Sequence, residues 1–326
     1  MNWLRWSAIL LFAMTLSNGV QAEEPIPVEL GVFVVDVTSL NEQNSTFQIE
    51  ADIISRWTDP ARAFIPAEGE PTQFTLVAGP AEEELRRLWW PAMQPINLAA
   101  SPDFGELRMT VFQDGTVNVR ARMRMLLRAP LDFHEFPFDT QVLPMRVESM
   151  MWPTTQMVLR SAEEFTGFDD SFEMPEWTLV DLTTEAGQVL RKQEGLTYDR
   201  LSFNISIERK AGFYVWKIML PMAIIVMLSW VVFWMSTEQL GRRAGISSTG
   251  MLTIIAYQFI VAGSLPRFPY FTLMDRLMLI ALLAIAATML VNLVGSRLDE
   301  DRRHKLDRSC RFVFPVVFLV AVFMVI

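Results

Sequence analysis

Ser247, Ser248, Thr249 and Thr253 place four hydroxyls inside an otherwise apolar stretch. Polar groups that face hydrocarbon go unsatisfied, so such residues turn toward partner helices or toward water. Gly245, Thr249, Leu252, Ala256, Phe259 and Gly263 recur at alternating helical steps and form one stripe of a helix. The stripe is small and polar at one end and apolar at the other. Several copies around an axis could enclose a water column, with Leu252 and Phe259 as apolar rings able to gate by dewetting. The competing reading is a buried helix whose hydroxyls bond back to its own carbonyls. Residues for catalysis are scarce. His134 and His304 lie far apart, Cys310 is the single cysteine, and no Gly-x-Ser-x-Gly or phosphate loop occurs. No enzyme, metal site, cofactor or intrachain disulfide is expected.

Four apolar segments must position that stripe: 213–235, 244–263, 270–296 and a short one, 312–326. The last is brief for a span, so it starts near Arg308 or sits tilted in a thinned bilayer. Arg242 and Arg243 fall in the first connection, and Arg297, Arg302, Arg303, Lys305, Arg308 and Arg311 in the third. The positive residues make those two connections cytoplasmic, and the chain's C-terminus extracytoplasmic. Residues 1–22 read as a signal peptide, with Arg5, an apolar run from Ala8 to Leu16, and Val20-Gln21-Ala22 before Glu23.

Between leader and spans, residues 23–210 read as a different domain, and residues 211–326 as the membrane domain. Residues 1–210 hold 31 acids and 17 basic residues, a net −14, whereas 211–326 hold 6 and 11, a net +5. The acidic front argues against nucleic acid and favours a cation-rich atmosphere. The hydrophobic share of 51% and a mean hydropathy of +0.26 suit a membrane protein. The segments 28–38, 46–57, 107–127, 141–147, 177–182 and 201–208 are β-rich. Val117 to Met125 alternates cleanly, and Asp114-Gly115 marks a hairpin turn. An antiparallel β-sandwich followed by a four-helix membrane bundle is the expected fold.

Four ordered motifs give the pattern a family. They are Trp57-Thr58-Asp59-Pro60-Ala61-Arg62; Trp89-Trp90-Pro91, with Ala92 where an acid is usual; Phe136-Pro137-Phe138-Asp139-Thr140-Gln141; and Arg209, Pro221 and Leu265-Pro266 around the spans. The chain resembles the pentameric ligand-gated ion channels, the Cys-loop receptor superfamily, over nearly its whole mature length. The two loop cysteines of that family would fall at Ala129 and Leu143, so the naming disulfide is absent. This and a short link from Arg297 to Arg311 resemble the bacterial branch.

The resemblance implies a homopentamer in a bacterial inner membrane, with the sandwich periplasmic and lipids as surroundings. Its partners would be identical subunits, permeant monovalent ions, and a small-molecule agonist or protons. It implies an agonist site between neighbouring sandwiches beneath a capping hairpin, near Asp52, Ile96, Asn118, Arg120, Met150 and Tyr198, with Trp152 close by. That aromatic cage is thin for an amine. Arg120, Arg122 and Arg124 share a strand face that would suit a carboxylate ligand or be simply solvated. Coupling is expected to run through residues 136–141 and 41–45 into 264–270. Phe136, Pro137 and Phe138 would seat on the membrane domain, Asp139 would pair with Arg209, and Pro266 and Arg267 would follow the pore helix. His134 in that loop could confer pH sensitivity. At the inner mouth, the slot of the glutamate ring of cation-selective relatives holds Gly241 or Arg242, and Arg243-Ala244-Gly245 with Thr249, Leu252 and Thr253 resembles anion-selective receptors, whereas the acidic front domain, the stretch from Met251 to Tyr257 and a ring of Glu238 point to cations. Cation permeation is the reading preferred, because the basic residue could point away from the axis.

Overall fold

The computed structural model describes residues 24–169, 174–236, 240–264 and 270–325. The expected leader 1–22, Glu238, Pro266 and Arg267 lie outside the described residues.

Among the described residues, eleven strands precede the membrane helices: β1 Ile26–Asn41, β2 Thr46–Thr58, β3 Gln73–Val77, β4 Met93–Pro95, β5 Asp103–Phe112, β6 Thr116–Arg128, β7 Thr140–Ser149, β8 Met157–Ser161, β9 Gly167–Phe168, β10 Trp177–Arg191 and β11 Leu196–Arg209. One sheet runs β3-β5-β6-β2-β1-β8, with β9 also on β1, and the other runs β10-β11-β7-β4. Alternation explains the sandwich. Along β2, Phe47, Ile49, Ala51, Ile53 and Trp57 are buried, and along β11 Leu201, Phe203, Ile205 and Ile207 are buried. These inward rows meet in one core with Val28, Leu30, Met125, Leu143 and Met145. A strand that buries every second side chain has only one register that keeps them dry.

The expected segment 107–127 is two strands, broken at Asp114-Gly115. Gly115 has φ +84°, and the Asp114 Oδ1 accepts from the Thr116 N–H at 2.9 Å. Strands β3, β4, β8 and β9 were not anticipated. They are two to five residues long, too short to show a period. The segments expected at 177–182 and 201–208 extend into a long β10–β11 hairpin.

A short helix α1 (Gly79–Leu85) crosses the sandwich edge. The membrane domain follows: α2 (Gly212–Trp234), α3 (Leu240–Ser264), α4 (Leu273–Gly295) and α5 (Glu300–Phe323). Helices α2 and α4 are long and apolar enough to cross a membrane by themselves. Pro221 has no N–H, and ahead of it the backbone widens into a π turn over Val215–Met219. Helix α5 corrects the expected start of the last segment near Arg308. It begins at Glu300, so the third connection shrinks to residues 296–299, which keep Arg297, while Arg302, Arg303, Arg308 and Arg311 ride on helical turns. One of them, Arg311, donates from Nε and Nη2 to the Phe233 carbonyl at 3.1 and 3.0 Å, closing the C-terminal end of α2.

Candidate functional site

Three places carry the residues singled out by the sequence. The first is the seam between sandwich and helices. Thr272 caps α4 with a reciprocal box: its Oγ1 accepts from the Asp275 N–H at 3.1 Å, and Asp275 Oδ2 accepts from the Thr272 N–H at 3.0 Å. The next two amides of the helix have no partner within it. Leu273 N–H donates to the His134 carbonyl at 2.8 Å, and Met274 N–H to the Phe136 carbonyl at 3.1 Å. The loop therefore docks by supplying acceptors that a helix start lacks. Phe133 and Phe136 are buried there with Leu273, Met274 and Leu277, and Phe136 meets Tyr214 of α2 edge-on at 4.7 Å. The His134 ring stacks on Tyr270 at 3.8 Å, and its Nδ1 lies 2.5 Å from Asp132. The Phe136–Pro137 bond is cis. Phe138 departs from expectation: it is 43% exposed, so of the two phenylalanines only Phe136 seats in the helical core of the subunit.

Above that seat, Asp139 and Arg209 pair as expected. Arg209 Nε donates to Asp139 Oδ1 at 2.6 Å and Nη2 to Oδ2 at 3.1 Å, and both side chains are buried. Gln141 Nε2 donates to Asp139 Oδ2 at 2.6 Å. Arg209 also lies over the rings of Trp177, at 4.2 Å, and Phe136, at 4.9 Å. Glu42, in the 41–45 turn, completes the cluster. Its Oε1 stands 2.7 Å from Arg209 Nη1 as a charge contact without hydrogen-bond alignment. Burial pushes the Glu42 carboxyl above its ordinary range, and Arg209 offsets only part of that. Within the cluster, Arg209 stays firmly charged: burial opposes its charge, but its hydrogen bonds to Asp139 and the charges of Asp139 and Glu42 outweigh that.

The second place is α3. Gly245, Thr249, Leu252, Ala256, Phe259 and Gly263 are all exposed on one subunit, Leu252 at 69% and Phe259 at 75%. The other face is buried through Arg243, Ser247, Gly250 and Ile254. Two hydroxyls do bond back, Thr253 Oγ1 to the Thr249 carbonyl at 2.9 Å and Ser247 Oγ to the Arg243 carbonyl at 3.4 Å. Arg242 is exposed, whereas Arg243 is 1% exposed and turned toward α5. There Asp307 accepts from its Nη2 at 2.8 Å and its Nη1 at 3.1 Å.

The third place is the ligand region, and the residues fall into two groups on different sheets of one subunit. Asp52, Asn118 and Arg120 lie on β2 and β6. Asp52 is fully buried and accepts from Arg122 Nε at 2.9 Å, from Arg122 Nη2 at 3.0 Å and from Arg120 Nη2. Arg124 Nη2 donates to Glu50 at 2.9 Å. The arginine face offered to a ligand carboxylate is thus filled by carboxylates of β2. Burial acts to raise the Asp52 pKa, but the hydrogen bonds from Arg122 and Arg120 outweigh it and hold the carboxyl below its usual range. Stability from this group is present above the unfolded value near 3.9 and is lost as pH falls through the lower folded value. Asp52→Asn is expected to cost about 1–3 kcal/mol at neutral pH and to flatten the loss of stability below about pH 4. Thermal unfolding of both proteins across that range checks it, and parallel pH curves would refute it.

Tyr198, Met150, Trp152 and Ile96 lie beside the β10–β11 hairpin. Ile96 and Met150 are exposed. Trp152 packs tilted against Trp89 at 5.5 Å and donates its Nε1–H to the Trp90 carbonyl at 2.9 Å, which ties it to the Trp89-Trp90-Pro91 motif. Tyr198 is buried, donates to Glu194 at 2.5 Å and has the Arg191 guanidinium over its ring at 3.7 Å. Glu42, Glu148, Arg191 and Asp307 were missed at the sequence level. Each finds a charge partner distant in the chain, and no local spacing marks it.

Residues 12–211 match the model of the neurotransmitter-gated ion-channel ligand binding domain, and residues 218–305 match that of the neurotransmitter-gated ion-channel transmembrane region. A proton-gated ion channel of Gloeobacter violaceus is 26% identical, over 92% of this chain and 82% of that one. A serotonin-gated chloride channel of Caenorhabditis elegans is 27% identical over 87% of this chain. A pH-sensitive chloride channel of Drosophila melanogaster is 25% identical over 91% of this chain. The matches span 58% and 59% of the two animal channels. With an extracellular ligand-binding sandwich joined to a helical membrane domain, this chain is not an enzyme and belongs to the neurotransmitter-gated ion-channel family, the pentameric ligand-gated channels of the Cys-loop superfamily.

Proposed function

We propose that five identical copies enclose a pore lined by α3, opened by an event in the sandwich and permeable to monovalent cations. The carrying observation is the stripe Gly245, Thr249, Leu252, Ala256, Phe259 and Gly263. It exposes a large apolar face on a lone subunit that a neighbouring copy and a water column would cover. Cysteines placed at Thr249 and Leu252 should react with water-borne thiol reagents under activating conditions and block current; inert cysteines in an active channel would remove the pore.

Cation permeation is supported by Arg243. The residue that most resembles an anion filter is buried and neutralised by Asp307, so its charge is withdrawn from the stripe. Reversal potentials in asymmetric NaCl decide between the two signs. The chloride channels among the relatives keep anion selectivity as the second reading.

Protons are the favoured trigger. Glu42 takes up a proton above the ordinary carboxylate range, and its protonation would release one contact of the Arg209 cluster that joins sandwich, loop and helices. A proton-gated relative agrees with that chemistry. A flat current–pH relation from about pH 5 to about pH 9 would exclude it. The chain would act in a bacterial inner membrane with its sandwich in the periplasm.

A further inference from the structure

Asn292, near the end of α4, is 3% exposed, and neither its Nδ2 nor its Oδ1 has a hydrogen-bond partner among the described residues. A buried amide in that position bears its full desolvation cost unless something polar sits beside it. A second orphan lies at the same level. Helices α3 and α4 pack antiparallel, and a Cβ at Gly250 would lie 3.5 Å from Ile285 Cδ1. Seven residues make two turns and return to the same face of a helix. Arg243, seven before Gly250, therefore comes level with Asn292, seven after Ile285. Arg243 is 1% exposed; Asp307 holds both its Nη groups, but its Nε has no hydrogen-bond partner among the described residues.

The seam between these two groups is closed above and below. Ile285, wholly buried, caps it toward the middle of the bundle. Toward the helix ends, a Cβ at Gly295 would meet Leu306 Cδ2 at 3.7 Å and Arg303 Cγ at 3.9 Å, so α5 covers it there. Charge and valence then name the occupant. The Arg243 and Asp307 charges cancel, which calls for a neutral molecule. The unused groups are the Arg243 Nε–H, the two Asn292 Nδ2 hydrogens and the acceptor Asn292 Oδ1. An anion would leave Oδ1 unmet, and a cation would leave the N–H groups unmet. A small molecule that both accepts and donates serves all of them, and about three bonds are what a buried water makes.

We propose that one enclosed water bridges Arg243 Nε to the Asn292 side chain, and that Asn292 is through it the positioning residue that holds the guanidinium against α5. The inference goes beyond the pore reading and does not depend on the sign of the permeant ion. It carries a sign that packing alone would not. If Asn292 were merely stranded, an apolar side chain of its size would stabilise the bundle. If the water is there, the same replacement expels it and strands the Arg243 Nε–H instead, so stability falls.

The test is a thermal unfolding cycle on full-length protein in detergent. Asn292→Leu should lower the unfolding midpoint of wild type by about 2–4 °C. In the background Arg243→Met with Asp307→Leu, where no guanidinium remains to be stranded, the same replacement should raise the midpoint. A raised or unchanged midpoint in wild type, or an equal fall in both backgrounds, overturns the proposal. Wild type should also unfold at the same temperature in sodium chloride and in sodium gluconate of equal concentration. A midpoint that follows chloride would mean an anion in the seam and overturns the water. Should the leucine variants fail to assemble, electron cryomicroscopy of wild type at a resolution that shows ordered water decides. Density within about 3.2 Å of both Arg243 Nε and the Asn292 amide is the expected result, and a map with side chains clear and no peak between them refutes it.

Discussion

Arg209→Ala is expected to destabilise the folded subunit by about 3–5 kcal/mol and to abolish gated current. The alanine strands Asp139, which is buried and bonded to Arg209 twice, and leaves Glu42 beside it without a counter-charge. Trp177 and Phe136 lose the guanidinium packed between them. Thermal unfolding in detergent reads the first effect and patch recording of protein in bilayers the second. A further variant separates stability from coupling. Replacing the cluster by apolar groups of similar size, Arg209→Met with Asp139→Leu and Glu42→Gln, removes every stranded charge, and buried ion clusters so replaced regain most of their stability. Current should remain absent, because the 41–45 turn, the 136–141 loop and the start of α2 no longer share a charge that can be rearranged. Normal gating in the stable triple variant would show that the cluster holds the fold and transmits nothing.

The physical reach of each signal decides how much of this was legible in the sequence. Period-two burial exposed the long strands, since Phe47, Ile49 and Ala51 advertise a dry face within a few residues. It failed for β3, β4, β8 and β9, which at two to five residues are too short for alternation to stand out and which pair along the edges of long neighbours. Helical spacing of small and hydroxyl residues exposed the face of α3, and the hydrophobic runs found the spans. The start of α5 was missed because its first turns are charged and read as a loop, although helices tolerate charge wherever they leave the bilayer. Asp139 and Arg209 were paired correctly through a motif. Glu42, the third member, carries no motif and sits in a turn whose sequence allows any acid to face solvent. Glu148 and Arg191 likewise acquire meaning only when β7, β10 and β11 are laid side by side. Local pattern finds elements; charge partners across elements need the fold.

Asp307→Ala is expected to be as damaging as the loss of Arg209, about 3–5 kcal/mol, because it leaves Arg243 charged and buried at the base of α3 with no route to water. The Nε of Arg243 already has no hydrogen-bond partner, so the guanidinium depends on Asp307 for the bonds it makes at its other two nitrogens. Loss of assembled protein by gel filtration, together with a lowered unfolding midpoint, measures the effect. The double variant Arg243→Met with Asp307→Leu should recover assembly, since the pair leaves together and apolar packing between α3 and α5 replaces it. Its reversal potential in asymmetric NaCl then decides a question about permeation. Arg243 and Asp307 cancel each other away from the exposed stripe, so deleting both should leave the reversal potential where wild type has it. Arg242, exposed one residue earlier, should shift it when changed to glutamine. A shift from the Arg243 and Asp307 double variant, with none from Arg242→Gln, would mean that the buried guanidinium swings into the ion path when the channel opens, and selectivity would then have to be assigned to a charge the present geometry hides.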